Sequence, residues 1–186
     1  MQESDYFSNY FAHLHDKLQS INTADLKQVA TLAHKVPQQK KKIIVVGNGG
    51  SAAMASHVTV DFTKAAGMRA VNFNEADLLT CFANDYGYEN WVARALEFYA
   101  DEGDLAILIS SSGQSSNMLN GAKQAKEMNL PLVTLSGFRA DNPLRFLGNA
   151  NLWVDSTSYN IVEMTHHVWL LSIIDYLIEQ KKDTRS

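Results

Sequence analysis

The sequence predicts an α/β protein: a three-layer αβα sandwich with a five-stranded parallel sheet and an N-terminal helical extension. Three observations carry this reading. From residue 43 onward, short apolar runs alternate with helical stretches, which implies a mostly parallel sheet covered on both faces. Two loops of small residues, 47–53 and 110–116, each follow an apolar run and precede a helix. Residues 5–36 carry helical periodicity alone.

In the extension, Tyr6, Phe7, Tyr10, Phe11, Leu14, Leu18 and Ile21 recur at three- and four-residue spacing, an amphipathic stripe. Asn22-Thr23 breaks it, and Thr23 is read as the cap of a second helix that Pro37 ends. The aromatic stripe suits either core packing or burial against another subunit. The strands are read at 43–46, 69–73, 105–109, 131–135 and 152–154. Helices lie between them, and a long one runs over 161–179. Asn84-Asp85-Tyr86-Gly87-Tyr88 is read as a turn. The chain reads as a single domain over 1–186, with helices at 1–37 and the layered core at 38–186.

Composition narrows the function classes. The formal net charge of −4 and the lack of a broad basic face argue against nucleic acid as a partner. Lys40-Lys41-Lys42 is read as a solvated start to the first strand. The one cysteine, Cys81, excludes an intrachain disulfide and is read as a small core residue. Trp153 and Trp169 are read as packing residues. No membrane span and no leader are read in the chain; the start, Met1-Gln2-Glu3-Ser4-Asp5, is acidic. A cytoplasmic protein is the expectation.

The two loops point to an anion. In an open parallel sheet, ligands bind beyond the carboxyl ends of the strands. The amides of a helix start favour negative charge there. Hydroxyls of Ser51, Ser110, Ser111, Ser112, Ser115 and Ser116 add donors, so phosphate can be held without lysine or arginine. Gly47-x-Gly49-x-x-Ala52 also fits a dinucleotide fingerprint, with Glu75 as its acid. A dinucleotide site does not call for the second, hydroxyl-rich loop. Walker-type nucleotide binding fails, because no Gly-Lys-Ser/Thr follows the glycines.

Gly47-Asn48-Gly49-Gly50-Ser51-Ala52, Asn84-Asp85-Tyr86-Gly87 and Ser110-Ser111-Ser112-Gly113-Gln114-Ser115 together resemble the sugar isomerase (SIS) domain, and within it the phosphoheptose isomerases. That resemblance implies a homotetramer with active sites between subunits. It also implies a phosphorylated sugar as substrate, sedoheptulose 7-phosphate or a close relative. Asn48, Gly49, Gly50, Asn84, Asp85, Ser110, Ser111, Ser112 and Ser115 match the family's substrate contacts, with Ser51 and Gln114 in the same loops. His57 and Asp61 match a histidine and a glutamate that line the reaction centre and bind zinc in several members. On the last helix, Val162 and Leu170 stand where the family has a glutamine and a catalytic histidine, while Glu163 matches an acid. With half of the zinc set matched, no metal is required; His57 and Asp61 are the place one would sit. A related group, the replication-initiator-associating proteins, also lacks the histidine and binds a protein partner. A non-catalytic phosphosugar-binding or partner-binding protein is therefore the alternative.

Aldose–ketose isomerisation needs a base for the proton on the carbon beside the carbonyl and an acid for the carbonyl oxygen. His57 and Asp61 lie at i and i+4 on one helical face. Glu163, His166 and His167 form a second cluster. The expectation is Asp61 as base, with Glu163 or His166 as its partner. Neighbours on a helix point about 100° apart, so His166 and His167 cannot both face one pocket.

Overall fold

The computed structural model describes residues 3–183; Met1 and Gln2, part of the acidic start, lie outside them. Two helices come first, α1 (Glu3–Gln19) and α2 (Thr23–Gln38). Asn22, not Thr23, caps α2, because its side-chain oxygen accepts the Ala24 amide at 2.9 Å while Thr23 is already helical. Pro37 lies inside the last turn of α2 and does not stop it.

The core then alternates: β1 (Ile43–Gly47), α3 (Gly50–Val60), β2 (Ala70–Asn72), α4 (Ala76–Tyr86), α5 (Trp91–Tyr99), β3 (Leu105–Ser110), α6 (Ser116–Glu127), β4 (Leu132–Gly137), β5 (Ala150–Val154) and α7 (Tyr159–Asp183). All strand pairs are parallel, in the order β2-β1-β3-β4-β5. The five-stranded parallel sheet and its helical layers are those the alternation predicts. Some boundaries move: α3 runs on through a π turn, Asp61–Ala65, and β2 shrinks to three residues at the sheet edge.

Period-two alternation divides the strands between two cores. Ile43 and Val45 face a cluster with Val29, Ala33, Met54, Val58, Phe62, Trp169, Leu170 and Ile173 from α2, α3 and α7. Ile44 and Val46 face a second cluster with Trp91, Val92, Leu96, Met118 and Ala122 from α5 and α6. The extension joins the first layer: the Trp169 indole N–H donates to the Leu18 carbonyl at 3.0 Å. The apolar length of α7 reaches that of a membrane span, with mean hydropathy 1.3 over Tyr159–Lys182, against the expectation that no run would. Half of that stretch is buried inside the molecule, where its apolar side chains fill the first core.

Two residues, Lys42 and Cys81, differ from their sequence reading. Lys42 is buried, with its ammonium 2.7 Å from Asp101 and 2.5 Å from the fully buried Asp104. Burial pushes its pKa down, but hydrogen bonds to the two carboxylates outweigh this and hold it above the ordinary value. Cys81 is exposed, because α4 sits on the outside of the second layer and buries no residue fully. Trp153 is half-buried at the edge strand, with the Arg145 guanidinium 4.3 Å from its ring centre.

Candidate active site

The order 2-1-3-4-5 has its switch point between β1 and β3, where successive connections leave the sheet in opposite directions. Both small-residue loops emerge there. Gly49 has φ +55°, a left-handed conformation that glycine adopts without strain, and it turns the chain sharply into α3. Asn74 holds the base of this turn: it accepts the Gly47 amide at 3.2 Å and donates to the Gly47 carbonyl at 2.7 Å. The second loop turns at Gly113, φ +65°, whose amide donates to the Ser110 carbonyl at 2.9 Å.

Between the loops lies a cleft of about 270 Å³. Asn48, Gly49, Gly50, Ser51, Ser110, Ser111, Ser112 and Ser115 line it, together with Ile109, Tyr159 and Glu163. It sits at the starts of α3 and α6, so two helix dipoles favour negative charge there. The Ser110 hydroxyl donates to that of Ser115 at 3.0 Å, and the Ser112 hydroxyl accepts the Gln114 amide at 3.2 Å. Ser111 is different. It is 5% exposed and its hydroxyl makes no hydrogen bond of regular geometry, an unusual state for a buried polar group.

Glu163 closes the cleft from α7. Its carboxylate lies against Gly50, so closely that a Cβ there would collide with it. The small residue at the start of α3 thus admits an acid from the far end of the chain. Burial raises the Glu163 pKa, and the neighbouring Ser111 hydroxyl offsets part of the rise.

His57 and Asp61 sit further along α3, outside the residues that line the cleft. Their ring nitrogen and carboxylate are 3.4 Å apart, both partly exposed. His57 Nδ1 meets His167 Nε2 at 2.9 Å, with the rings edge to face. Burial, and then the neighbouring His57, lower the His167 pKa, with Asp61 acting in the opposite sense. Adjacent His166 points the other way, as the helical angle requires. It is fully buried, and its Nε2 pairs with the Ser136 carbonyl at 3.0 Å. Burial lowers its pKa to about 4, although the carbonyl partner favours the charged form. His166 is therefore corrected from a catalytic candidate to a neutral residue of the core beneath β4. His167 is the histidine that joins the α3 cluster.

Other expected contacts lie off the cleft. Asn84 and Asp85 are on the exposed last turn of α4, not in a turn, and bond to each other at 2.8 Å. Gln114 is exposed at the loop tip and does not line the cleft. Val162 and Leu170 are fully buried apolar side chains. Among the described residues, no group of three histidine, cysteine or acidic side chains is arranged to hold a metal. By residue type, His57, Asp61 and the adjoining His167 are donors, and Val162 and Leu170 are not. The sequence reading missed Tyr159 and Ile109. Tyr159 opens α7 with nothing in its spacing to mark it, and Ile109 reads as ordinary strand core.

The chain matches the SIS domain family over residues 6–137. It is 33% identical over 181 residues to a phosphoheptose isomerase of Helicobacter pylori, covering 92% of each chain. It is 39% identical over 118 residues to a phosphoheptose isomerase of Aneurinibacillus thermoaerophilus, a match to 60% of each. A solved phosphoheptose isomerase from Neisseria gonorrhoeae superposes with a TM-score of 0.86 over 94% of this chain and 97% of its own, at 24% identity, and so shares the fold. By the family match over most of its length and the identity across 92% of a phosphoheptose isomerase, the chain belongs to the SIS domain family, in its phosphoheptose isomerase-like branch.

Proposed function

We propose that this protein isomerises a ketose phosphate to an aldose phosphate, with sedoheptulose 7-phosphate or a close relative as substrate. The observation that carries the reading is the buried Ser111 hydroxyl in a cleft between two helix starts, beside a carboxyl of raised pKa. The phosphate sits between the loops, held by backbone amides and serine hydroxyls. The sugar lies along the α3–α7 groove towards His57, Asp61 and His167.

Glu163, which keeps its proton to higher pH than an ordinary carboxyl, donates to the carbonyl oxygen. Asp61, with His57 beside it, takes the proton from the adjacent carbon. The resulting enediol then collapses to the aldose: the C1 hydroxyl gives its proton to the Glu163 carboxylate, and C2 receives the proton held by Asp61. Val162 and Leu170 take no part. The test is turnover of sedoheptulose 7-phosphate by the wild type, Asp61→Asn and Glu163→Gln. Loss of a general acid or base costs about 10²- to 10⁴-fold in kcat. No turnover of any ketose phosphate by the wild type, with sugar phosphate still bound, would replace this reading by that of a phosphosugar-binding protein.

A further inference from the structure

The carboxamide of Asn48 is almost fully engaged within the protein. Its Nδ2 donates to Asn117 Oδ1 at 3.0 Å, and its Oδ1 accepts from Asn117 Nδ2 at 2.9 Å, a closed amide pair. The same Oδ1 also accepts the Tyr88 hydroxyl at 3.2 Å. A carboxamide offers two N–H groups and two acceptor lone pairs. Three of the four are therefore used, and a single N–H remains for a ligand.

These partners come from three separate stretches. Asn48 belongs to the glycine loop after β1. Asn117 is in the first turn of α6, directly after the serine loop, and is 1% exposed. Tyr88 follows Gly87, whose φ of +85° turns the chain out of α4. The stretch bearing Tyr88 is itself held to α6: the Asn120 side chain donates to the Glu89 carbonyl at 3.0 Å and to Asn90 Oδ1 at 3.2 Å. One side chain in the cleft wall thus couples both loops and the α4–α5 connection.

We propose that Asn117 and Tyr88 are positioning residues: they fix Asn48 so that the glycine and serine loops stand at the spacing an oxyanion needs, with one Asn48 N–H aimed into the cleft. This rests on the phosphosugar reading of the cleft. The two loops leave neighbouring strands and share no side-chain hydrogen bond other than this one through α6 among those described. Removing it lets either loop move without disturbing the sheet below. The consequence falls on binding, because Asn117 and Tyr88 do not line the cleft.

Asn117→Asp keeps the shape of the side chain but turns the donor facing Asn48 Oδ1 into an acceptor. Tyr88→Phe removes one exposed hydroxyl and leaves the buried structure intact. With sedoheptulose 7-phosphate, Asn117→Asp is expected to raise KM about tenfold or more and Tyr88→Phe about threefold, as befits one strong and one weaker hydrogen bond. In both, kcat stays within about threefold of wild type, the signature of lost uniform binding. Calorimetry with sedoheptulose 7-phosphate and with inorganic phosphate should show the same order of weakening. Unchanged KM and affinity in both variants would overturn the proposal, as would a fall in kcat at constant KM. A wild type that binds the sugar phosphate without turnover, and binds it more tightly than the variants, would overturn the isomerase reading alone and sustain this one.

Discussion

At the scale of single residues, the cleft depends on what is absent as much as on what is present. Gly50 has no side chain where the Glu163 carboxylate rests. Gly50→Ala would keep helical propensity, and on an open surface would favour α3. Here the new methyl meets the half-buried Glu163 carboxylate, so Glu163 must leave its place. The variant is expected to lose at least tenfold in kcat while thermal unfolding shifts by only a few degrees, because the acid can swing into solvent. Circular dichroism and steady-state kinetics on the same preparation would show the two effects apart. Ser111 is the complementary case: a buried hydroxyl beside that carboxylate, in the wall of the cleft.

At the scale of elements, α7 does two jobs on opposite faces. Val162, Trp169, Leu170, Ile173, Ile174 and Leu177 fill the first core, while Glu163 lines the cleft and His167 meets His57 of α3. His166 falls on the core side and is held neutral. Its folded pKa of about 4 lies below the ordinary histidine value of 6.5, so the unfolded chain binds the proton more readily. Its neutral state therefore contributes fully above about pH 6.5, and that contribution is lost as pH falls towards 4. The difference corresponds to about 3 kcal/mol over that window. Urea unfolding of the wild type should weaken with falling pH between 6.5 and 4. His166→Gln, which keeps a donor for the Ser136 carbonyl, should flatten that slope. An unchanged slope would remove His166 as its source.

At the scale of the whole molecule, the aromatic stripe of α1 divides in two. Leu18 and Ile21 pack on the first core, whereas Tyr6, Phe7 and Phe11 are more than half exposed. Val60, Met164 and Val168 add exposed apolar surface on α3 and α7. Such surface is what a subunit contact buries. Sedimentation is expected to give four chains of 20.7 kDa, and the double variant Phe7→Asp, Phe11→Asp to give smaller species with weaker turnover. A wild-type monomer with full activity would refute the shared-site arrangement.

The sequence alone determined the architecture and the two small-residue loops that line the cleft. Strand alternation, the two small-residue loops and their order depend on local spacing, so they are legible in one dimension. Contacts between distant stretches are not. That Glu163 reaches Gly50, that His167 and not His166 meets His57, and that Lys42 is buried against Asp104 depend on how helices pack across the sheet. A helix's periodicity tells which residues share a face. Only tertiary packing tells what that face touches, which is why the loops could be read in advance and the far end of the groove could not.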